Sequence, residues 1–197
     1  MKRSAFTMVE LIFVIVIIGV LASIGIPKLS GVSDGAKKTA EIAAISAVST
    51  AIESAHGEWS INENAFTWGN NRPSTELNSV GYPNDLNASG KVFGAILKGD
   101  SADFTKIGNT IVHADYNISI FTGPASNATN GVKFDTKAPN SDIAGKPDKN
   151  DFWIYASYVT STKTCTYNGK TFFSGDFLLI DVIGIGTTNY AVALTCT

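Results

Sequence analysis

The stretch FTMVELIFVIVIIGVLASIGIPK, residues 6–28, decides what kind of protein this sequence encodes. Residues 11–26 carry no charge, and residues 6–26 as an α-helix would be about 31 Å long, close to the hydrocarbon thickness of a bilayer. Glu10 stands directly before the uncharged run. A carboxylate near the bilayer interior costs roughly 2.5–3.5 kcal/mol on insertion scales, so the sequence predicts a positive partner that reaches Glu10 later.

Two interpretations of this segment leave Glu10 unexplained. A secretory signal peptide would use Lys2 and Arg3 as its basic region, the apolar run as its core, and a cut near the small residue Ala22. A simple membrane anchor would cross the bilayer once, with Lys2 and Arg3 holding its N-terminus on the cytoplasmic side. Neither interpretation has a use for a carboxylate at this position.

A third interpretation comes from a resemblance. The segment SAFTMVELIFVIVIIGVLASIGIP, residues 4–27, resembles the N-terminus of type IV pilins and pseudopilins. Members of that family carry a short basic leader, a cleavage site directly before a phenylalanine, and a glutamate as the fifth residue of the mature chain. The resemblance implies a leader of residues 1–5, cleavage between Ala5 and Phe6, and Glu10 in the fifth position. Family members usually have glycine before the cut, where this chain has the equally small Ala5.

The resemblance also implies how Glu10 finds its partner. The family's prepilin peptidase removes the leader on the cytoplasmic side and N-methylates the new terminal amine, here that of Phe6. The charged amine of one subunit can then meet Glu10 of a neighbouring subunit inside a bundle of apolar helices. A carboxylate beside an ammonium group is far less costly to bury than one alone, and the pair would favour one axial register between the helices.

Three residues weaken the hydrophobic helix: Gly19, Gly25 and Pro27. Proline removes a backbone donor and clashes with the carbonyl of Ser23, and each glycine costs about 1 kcal/mol relative to alanine. In filaments of resembling proteins the part between glycine and proline is often melted. The sequence leaves two outcomes open, a melted segment of that kind or only a kink at Pro27.

An amphipathic continuation of the helix is predicted over residues 28–57. Apolar side chains recur there every three or four residues and predict a stripe that faces a core: Ile42, Ile45, Val48, Ile52 and Ala55. The charged residues Glu41 and Glu53 are expected on other faces of the helix. Gly57 is the expected end of the helix.

Residues 58–197 form the predicted globular head. Residues 58–110 are rich in turn-forming residues and predict a long connection, in which GKVFGAIL (90–97) is expected to be a strand or a short helix. Four later segments have the β-branched and aromatic composition of strands: TIVHADYNISIF (110–121), DFWIYASYVT (151–160), DFLLIDVIGIG (176–186) and NYAVALTC (189–196). A long helix followed by strands predicts an α+β fold, with an antiparallel sheet packed on the apolar stripe of the helix. This is also the plan of the resembling family.

The chain has two cysteines, Cys165 and Cys196. In an oxidising compartment they would form a disulfide, and in a cytosol they would be two thiols. Their late position resembles the disulfide-bounded C-terminal region of many type IV pilins, which implies a bond between them. The bond would close a loop of about 31 residues and stabilise the fold by roughly 3–4 kcal/mol in the chain-entropy model.

An acidic loop, FDTKAPNSDIAGKPDKNDFW (134–153), precedes the last predicted strands. Calcium binds to such oxygen-rich loops, and some pseudopilins bind it at this place, so Asp142, Asp148 and Asp151 are the candidate ligands. The spacing does not match an EF-hand, and three lysines in the loop also suit an ordinary solvated loop. No other cofactor is expected.

Two asparagines, Asn87 in DLNAS and Asn117 in DYNIS, lie in Asn-x-Ser tripeptides with an acid two residues earlier. This extended pattern resembles the acceptor of bacterial N-glycosylation systems, and both residues are candidate glycosylation sites. A third tripeptide, at Asn127, lacks the acid. In a chain rich in asparagine and serine such patterns also arise by chance.

The sequence gives no sign of an enzyme. The two histidines, His56 and His113, have no cysteine or carboxylate at metal-ligand spacing, and no nucleophile-elbow, phosphate-loop or HExxH motif is present. The formal net charge is −2, with no basic block after residue 3, which argues against nucleic-acid binding by bulk electrostatics.

The main hypothesis is therefore a structural subunit, a prepilin that is cleaved, N-methylated and polymerised into a type IV pilus-like filament. The resemblance implies four partners: other copies of the chain, the prepilin peptidase, an inner-membrane assembly platform and a motor ATPase. The chain would cross the inner membrane once before assembly and lie in an extracellular or periplasmic filament afterwards. The alternatives are a pseudopilin of a type II secretion or DNA-uptake system, and a monomeric membrane-anchored binding domain.

Overall fold

The computed structural model describes residues 7–62, 66–88, 90–98, 103–107, 111–112, 115–126, 132–133, 141–143, 145–148, 151–159, 164–167, 169–182, 190–191 and 195–197. The chain divides into two compact units, Met1–Lys37 and Lys38–Thr197. In the first unit the described residues form the start of one long helix. The second unit contains the rest of that helix and all the strands, and it holds the hydrophobic core.

The long helix, α1, runs over Met8–Asn62 and has 55 residues. It is helical through Pro27 and through Gly57, so the predicted end at Gly57 is wrong. Side-chain hydrogen bonds support the extra turn, because the hydroxyl of Ser60 donates to the backbone oxygen of His56 at 2.9 Å and the amide of Asn62 donates to Glu58 at 3.1 Å. Glycine ends a helix only when the chain turns left-handed there, and Gly57 keeps a helical conformation.

Thirteen strands and a 3₁₀ helix (Ser74–Glu76) follow the long helix in the described residues. The strands are β1 (Thr67–Trp68), β2 (Arg72–Pro73), β3 (Thr105–Lys106), β4 (Ile111–Val112), β5 (Tyr116–Thr122), β6 (Val132–Lys133), β7 (Ser141–Ile143), β8 (Phe152–Val159), β9 (Cys165–Tyr167), β10 (Lys170–Phe172), β11 (Phe177–Val182), β12 (Tyr190–Ala191) and β13 (Thr195–Cys196). A long helix followed by mainly antiparallel sheets is the α+β architecture that the sequence predicts.

The main sheet has six strands in the order β3-β5-β8-β11-β7, with β4 also paired to β5. All of its pairs are antiparallel; in the centre Ile154 of β8 lies opposite Ile120 of β5 and Leu178 of β11. A three-stranded antiparallel sheet, β10-β9-β13, and the two-stranded pairs β1-β2 and β12-β6 complete the strands. The pair β12-β6 is parallel.

Successive side chains of a strand point to opposite faces of the main sheet. Both faces are buried, because a different part of the chain packs on each of them. One face, which includes Ile120 and Ile154, packs in a cluster with Cys165 and Tyr167 of the small sheet. The opposite face, which includes Tyr155, packs in a second cluster with the buried stripe of α1. This double burial explains why the strand segments read as almost continuous apolar and aromatic runs.

Three segments differ from the sequence-based expectation. The segment at 90–97 is neither a strand nor a helix but a series of turns, in which Phe93 is buried with a positive φ of 58° and packs against Phe104 and Phe121. The segments at 110–121 and 189–196 each contain two strands instead of one. The hairpin β9-β10 was missed, because strands of three residues are too short for alternation to be recognised.

Candidate functional site

The described N-terminus begins with a reciprocal pair of residues, Thr7 and Glu10. The backbone N–H and the hydroxyl of Thr7 both donate to Oε2 of Glu10 at 3.0 Å, and the N–H of Glu10 donates to the hydroxyl oxygen of Thr7 at 3.3 Å. Thr7 precedes the first helical residue, so this is a capping box in which the N-cap and the N3 residue satisfy each other's donors. The predicted cleavage pair, Ala5 and Phe6, lies outside the described residues.

The capping box gives Glu10 a partner within its own chain. The family resemblance implied a partner only from a neighbouring subunit, although the pattern Thr-x-x-Glu before an apolar run is itself a helix-start signal. The carboxylate therefore serves the start of its own helix in the single chain through Oε2, and Oε1 lies outside the capping box.

The first part of α1 exposes apolar side chains on every side. Residues 8–21 are all exposed, including Leu11, Phe13, Ile18 and Leu21. By length and composition this helix could cross a membrane. A helix that is apolar all round is stable only inside a bilayer or among other helices.

The helix-weakening residues lie within this exposed region. A Cβ added at Gly19 or Gly25 would meet nothing within 4 Å, so no contact inside the chain requires glycine at either position. The hydroxyl of Ser23 donates to the backbone oxygen of Val20 at 2.7 Å. Pro27 is part of α1, and the single chain is helical rather than melted between Gly19 and Pro27.

The second unit contains a buried carboxylate that the sequence argument placed on the wrong face of the helix. Glu41 has 0% exposed surface, whereas Ile42, which was expected in the stripe, is 37% exposed. The buried stripe is therefore Glu41, Ile45, Val48, Ile52 and Ala55, at spacings of four, three, four and three. The regular spacing was visible in the sequence, but a charged residue was assumed to face water.

Four donors surround the Glu41 carboxylate. Oε2 accepts from the backbone N–H groups of Ala125 and Ser126 at 2.6 and 3.0 Å, and Oε1 accepts from the Ser126 hydroxyl and from the indole N–H of Trp153, the latter at 2.7 Å. A Cβ on Gly123 would lie 2.5 Å from Cδ of Glu41, so the loop after β5 can close over the carboxylate only with glycine there. We call Glu41, Gly123, Ala125, Ser126 and Trp153 the Glu41 cluster.

A second polar group lies near the C-terminal end of α1. The imidazole of His56 stacks on Tyr82 with 4.2 Å between the ring centroids and also on Trp59 at 5.8 Å. Burial raises the pKa of Tyr82, and the carboxylates of Glu53 and Asp176 raise it further. The imidazole of His56 is therefore packed between two aromatic rings.

Asp176 caps the turn between β10 and β11. Its Oδ2 accepts the backbone N–H of Phe173 at 2.8 Å. Burial raises the pKa of the Asp176 carboxyl, and the Phe173 hydrogen bond and the charge of Lys170 only partly oppose this. Asp176 also lines an open groove of about 400 Å³ together with Ile42, Trp153 and Phe177.

The comparison with known families agrees with the geometry of the N-terminus. Residues 1–26 match a family model described as the prokaryotic N-terminal methylation motif. This is the type IV pilin and pseudopilin signature. No curated protein and no solved structure matches the chain. The methylation motif points to a structural subunit rather than an enzyme, and together with the apolar helix it is consistent with membrane anchoring before assembly.

The disulfide joins Cys165 of β9 to Cys196 of β13 over a sequence separation of 31. The two residues lie opposite each other in the register of the small sheet. Next to them, Thr164 and Thr197 exchange backbone hydrogen bonds of 3.0 and 3.1 Å. Thr197 is thus held in the head.

The calcium candidates do not form a cluster in the described residues. Asp151 is 1% exposed, and its Oδ2 accepts the backbone N–H of Asp148 at 2.9 Å, which closes the turn before β8. The side chain of Asp142 lies outside the described residues. Where the structure describes side chains, no group of three or more histidines, cysteines or acids could hold a metal ion. Calcium binding stays an untested prediction.

The two glycosylation candidates occupy different environments. Asn117 lies inside β5 and pairs with both β4 and β8. Asn87 lies in the turn-rich connection, outside every named strand. Asn127 and His113 lie outside the described residues.

Proposed function

We propose that this chain is a prepilin whose mature form polymerises into a type IV pilus-like filament. The observation that carries the proposal is the N-terminal methylation motif at residues 1–26, which stands directly before a helix with an exposed apolar surface. Such a surface is satisfied first by a bilayer and then by the same surface of other copies. When the chain moves from the inner membrane into the filament, its N-terminal helix would therefore stay in apolar surroundings throughout.

Processing would create the charge that assembly needs. Removal of residues 1–5 takes away Lys2 and Arg3 and leaves an N-methylated amine on Phe6. In the filament the amine of one subunit would approach Glu10 of another and compensate a carboxylate that lies among apolar helices. The capping box supports this role, because both Thr7 donors bind Oε2 of Glu10 and Oε1 lies outside the box, where a neighbour's amine could approach it.

The glycines and Pro27 support a helix that can change during assembly. In the single chain the segment is helical, but Gly19 and Gly25 have open space around them. In a bundle small residues allow helices to approach closely, and they also lower the cost of melting the segment. Gly19, Gly25 and Pro27 therefore mark where the helix would yield when the filament is stretched.

The proposed partners are those of filament assembly. They are other copies of the chain, the prepilin peptidase that cuts between Ala5 and Phe6, an inner-membrane platform and a motor ATPase. The mature filament would be extracellular or periplasmic. Nucleic acid is not among the proposed partners of the single subunit.

Mass spectrometry of the N-terminus tests the proposal directly. Protein purified from its own cells should begin with N-methylphenylalanine at Phe6, and in cells without prepilin peptidase it should keep residues 1–5. A mature chain that starts near Ser23 would contradict the proposal, because it would mean a soluble secreted protein. A chain that keeps its leader in peptidase-containing cells would contradict it as well and would favour the monomeric anchored domain.

Immuno-electron microscopy separates the two filament types. An antibody against the head should label filaments on the cell surface if the protein is a pilin. Label confined to short assemblies that span the periplasm would identify a pseudopilin of a secretion or DNA-uptake system. In that case the processing part of the proposal would survive and the surface-filament part would fail.

A further inference from the structure

Asn87 and Asn117 both lie in an Asn-x-Ser tripeptide that follows an acid, so the two motifs are the same. Their structural environments differ, because Asn117 lies in a strand and Asn87 does not. We propose that Asn87 is an N-glycosylation acceptor and that Asn117 is not. The expected donor is an oligosaccharide linked to a polyprenyl pyrophosphate, and the enzyme class is a periplasmic oligosaccharyltransferase. The inference shares with the proposed function only the requirement that the head is exported, since modification needs no filament.

The fold removes Asn117 from reach. Asn117 lies opposite Val112 of β4 and Tyr158 of β8, and its backbone oxygen also accepts the hydroxyl of Ser157 at 3.2 Å. Ser119, the third residue of the tripeptide, is 1% exposed. A transferase must draw the whole tripeptide out of the protein surface, which here would require separating central strands of the main sheet.

Asn87 lies in a connection that can be drawn out at low cost. Its neighbour Leu86 is buried and anchors the segment, whereas the Asp85 side chain is 62% exposed and Gly90 is exposed. The described backbone around it is held by the short turn in which Ala88 and Lys91 exchange hydrogen bonds of 3.1 and 3.0 Å, and by the N–H of Ala95, which donates to the backbone oxygen of Leu86 at 3.1 Å. Opening this turn breaks no strand of the main sheet.

The side chain of Asn87 is also poorly held. It is half-buried, and its carbonyl oxygen is buried without a hydrogen-bond donor in the part of the chain that the structure describes. A buried acceptor without a donor costs about 1–3 kcal/mol, so movement of this amide into solvent or into an enzyme recovers that cost. The same holds for the carbonyl oxygen of Asn117, but the paired backbone of β5 opposes its movement.

Asp85 supplies the acidic residue of the extended acceptor pattern. Its Oδ1 accepts the backbone N–H of Asn87 at 3.0 Å, so acid and acceptor are held together in one turn. The same oxygen lies 3.7 Å from Nζ of Lys106, an ion pair at an exposed site that a transferase could replace with its own cation at little cost. Ser89, the hydroxyl residue of the tripeptide, lies outside the described residues.

Transfer of the oligosaccharide to Asn87 changes no oxidation state and needs no redox partner. Nδ2 of Asn87 forms a bond to the anomeric carbon of the first sugar, and the bond from that carbon to the pyrophosphate oxygen breaks. Polyprenyl pyrophosphate leaves, and the proton lost from Nδ2 passes to a base of the transferase or to the leaving phosphate. The product is an N-linked glycan on the surface of the head.

The test uses the full-length chain in detergent, with its disulfide formed. It is incubated with a bacterial oligosaccharyltransferase and a lipid-linked oligosaccharide of known mass, and an acceptor peptide confirms that the enzyme is active. The folded protein should gain one glycan mass. Asn87→Gln and Ser89→Ala should lose it, while Asn117→Gln and the conservative variant Ser89→Thr should keep it.

A reduced, urea-treated sample of the same protein provides the control for folding. Once the sheet is opened, Asn117 should also be modified and two glycan masses should appear. An unmodified folded chain beside a modified control peptide would overturn the inference, and so would modification of folded protein at Asn117. Processing at Phe6, read in the same spectra, shows separately whether the proposed filament function stands.

Discussion

The carboxylate of Glu41 on the long helix accepts a 2.7 Å hydrogen bond from the indole N–H of Trp153 on the central strand β8. The same carboxylate accepts three further hydrogen bonds from Ala125 and Ser126, and it is fully buried. One acidic side chain therefore joins α1, the strand β8 and the loop after β5. The buried apolar stripe of α1 continues from Glu41 towards the C-terminal end of the helix, at Ile45, Val48, Ile52 and Ala55.

Glu41→Gln should destabilise the head by about 3 kcal/mol. Glutamine keeps one acceptor oxygen but turns an NH₂ group towards donors, so at least one hydrogen bond to a charged group is lost and a donor is left without an acceptor. Urea unfolding of the full-length chain in detergent, followed by tryptophan fluorescence, measures the effect. Glu58→Gln, an exposed position on the same helix, should stay within about 0.5 kcal/mol of the wild type.

Gly123→Ala should also destabilise the head, by about 1–3 kcal/mol. The new methyl group would lie 2.5 Å from Cδ of Glu41, and this carboxylate is fixed by its donors and cannot move aside freely. Gly145→Ala is the matched control, because a Cβ at Gly145 meets nothing within 4 Å. Equal unfolding midpoints for the two variants would contradict the role of Gly123.

Asp176→Asn should make stability less dependent on pH. Burial raises the pKa of Asp176 in the folded protein, so its contribution to stability is fully present below the unfolded pKa of about 3.9 and is lost as the pH rises through the folded value. At pH 7 the variant should therefore have the higher Tm, since its amide can still accept the Phe173 N–H. The two Tm curves should converge below about pH 4. A higher Tm of the wild type at pH 7 would show that the charge is stabilised rather than disfavoured.

Replacing both Cys165 and Cys196 by serine should cost about 3–4 kcal/mol of unfolding free energy. The bond closes a sequence separation of 31 and holds β9 against β13, and without it the unfolded chain gains conformational freedom. Unfolding in urea without reductant measures the difference. Wild-type protein unfolded with reductant should match the double variant, and the double variant itself should not respond to reductant.

Glu10→Gln should lower filament yield at least tenfold while leaving removal of residues 1–5 intact. The amide keeps part of the capping box with Thr7 but has no charge to attract a neighbour's amine. Thr7→Val tests the capping box separately and should weaken the helix start by about 1 kcal/mol. Sheared filaments quantified by immunoblot, beside N-terminal mass spectrometry of the cell fraction, give both readouts. Normal yield from Glu10→Gln would contradict a role for this charge in assembly.

The parts of the fold that could be predicted from the sequence are those marked by a run of similar residues or by a family pattern. Uncharged residues over several turns predicted the exposed helix, and β-branched and aromatic runs predicted β5, β8 and β11. The sequence resemblance implied the bond between Cys165 and Cys196, which the structure contains. These features depend on local composition or on a family pattern, and both can be read along the chain.

The parts that could not be predicted depend on partners far away in sequence. The spacing from Glu41 to Ala55 fits a buried stripe, but only donors at 125, 126 and 153 make burial of the carboxylate acceptable. Phe93 lies in turns with a positive φ because the core holds its ring, which overrides the local preference. The capping box at Thr7 and Glu10 could have been predicted from the Thr-x-x-Glu pattern, because it depends only on residues three apart in sequence.

The distances along the chain between Glu41 and its donors set an order for biogenesis. The donors follow it by 84, 85 and 112 residues, so the helix leaves the ribosome long before the groups that neutralise its inward-facing acid exist. Until those later residues are present, burial of this side chain would leave a charged group without donors, which opposes docking of the amphipathic half of the helix. The head therefore closes around Glu41 only after the chain has been made as far as Trp153, when the N-terminal apolar segment has long been complete.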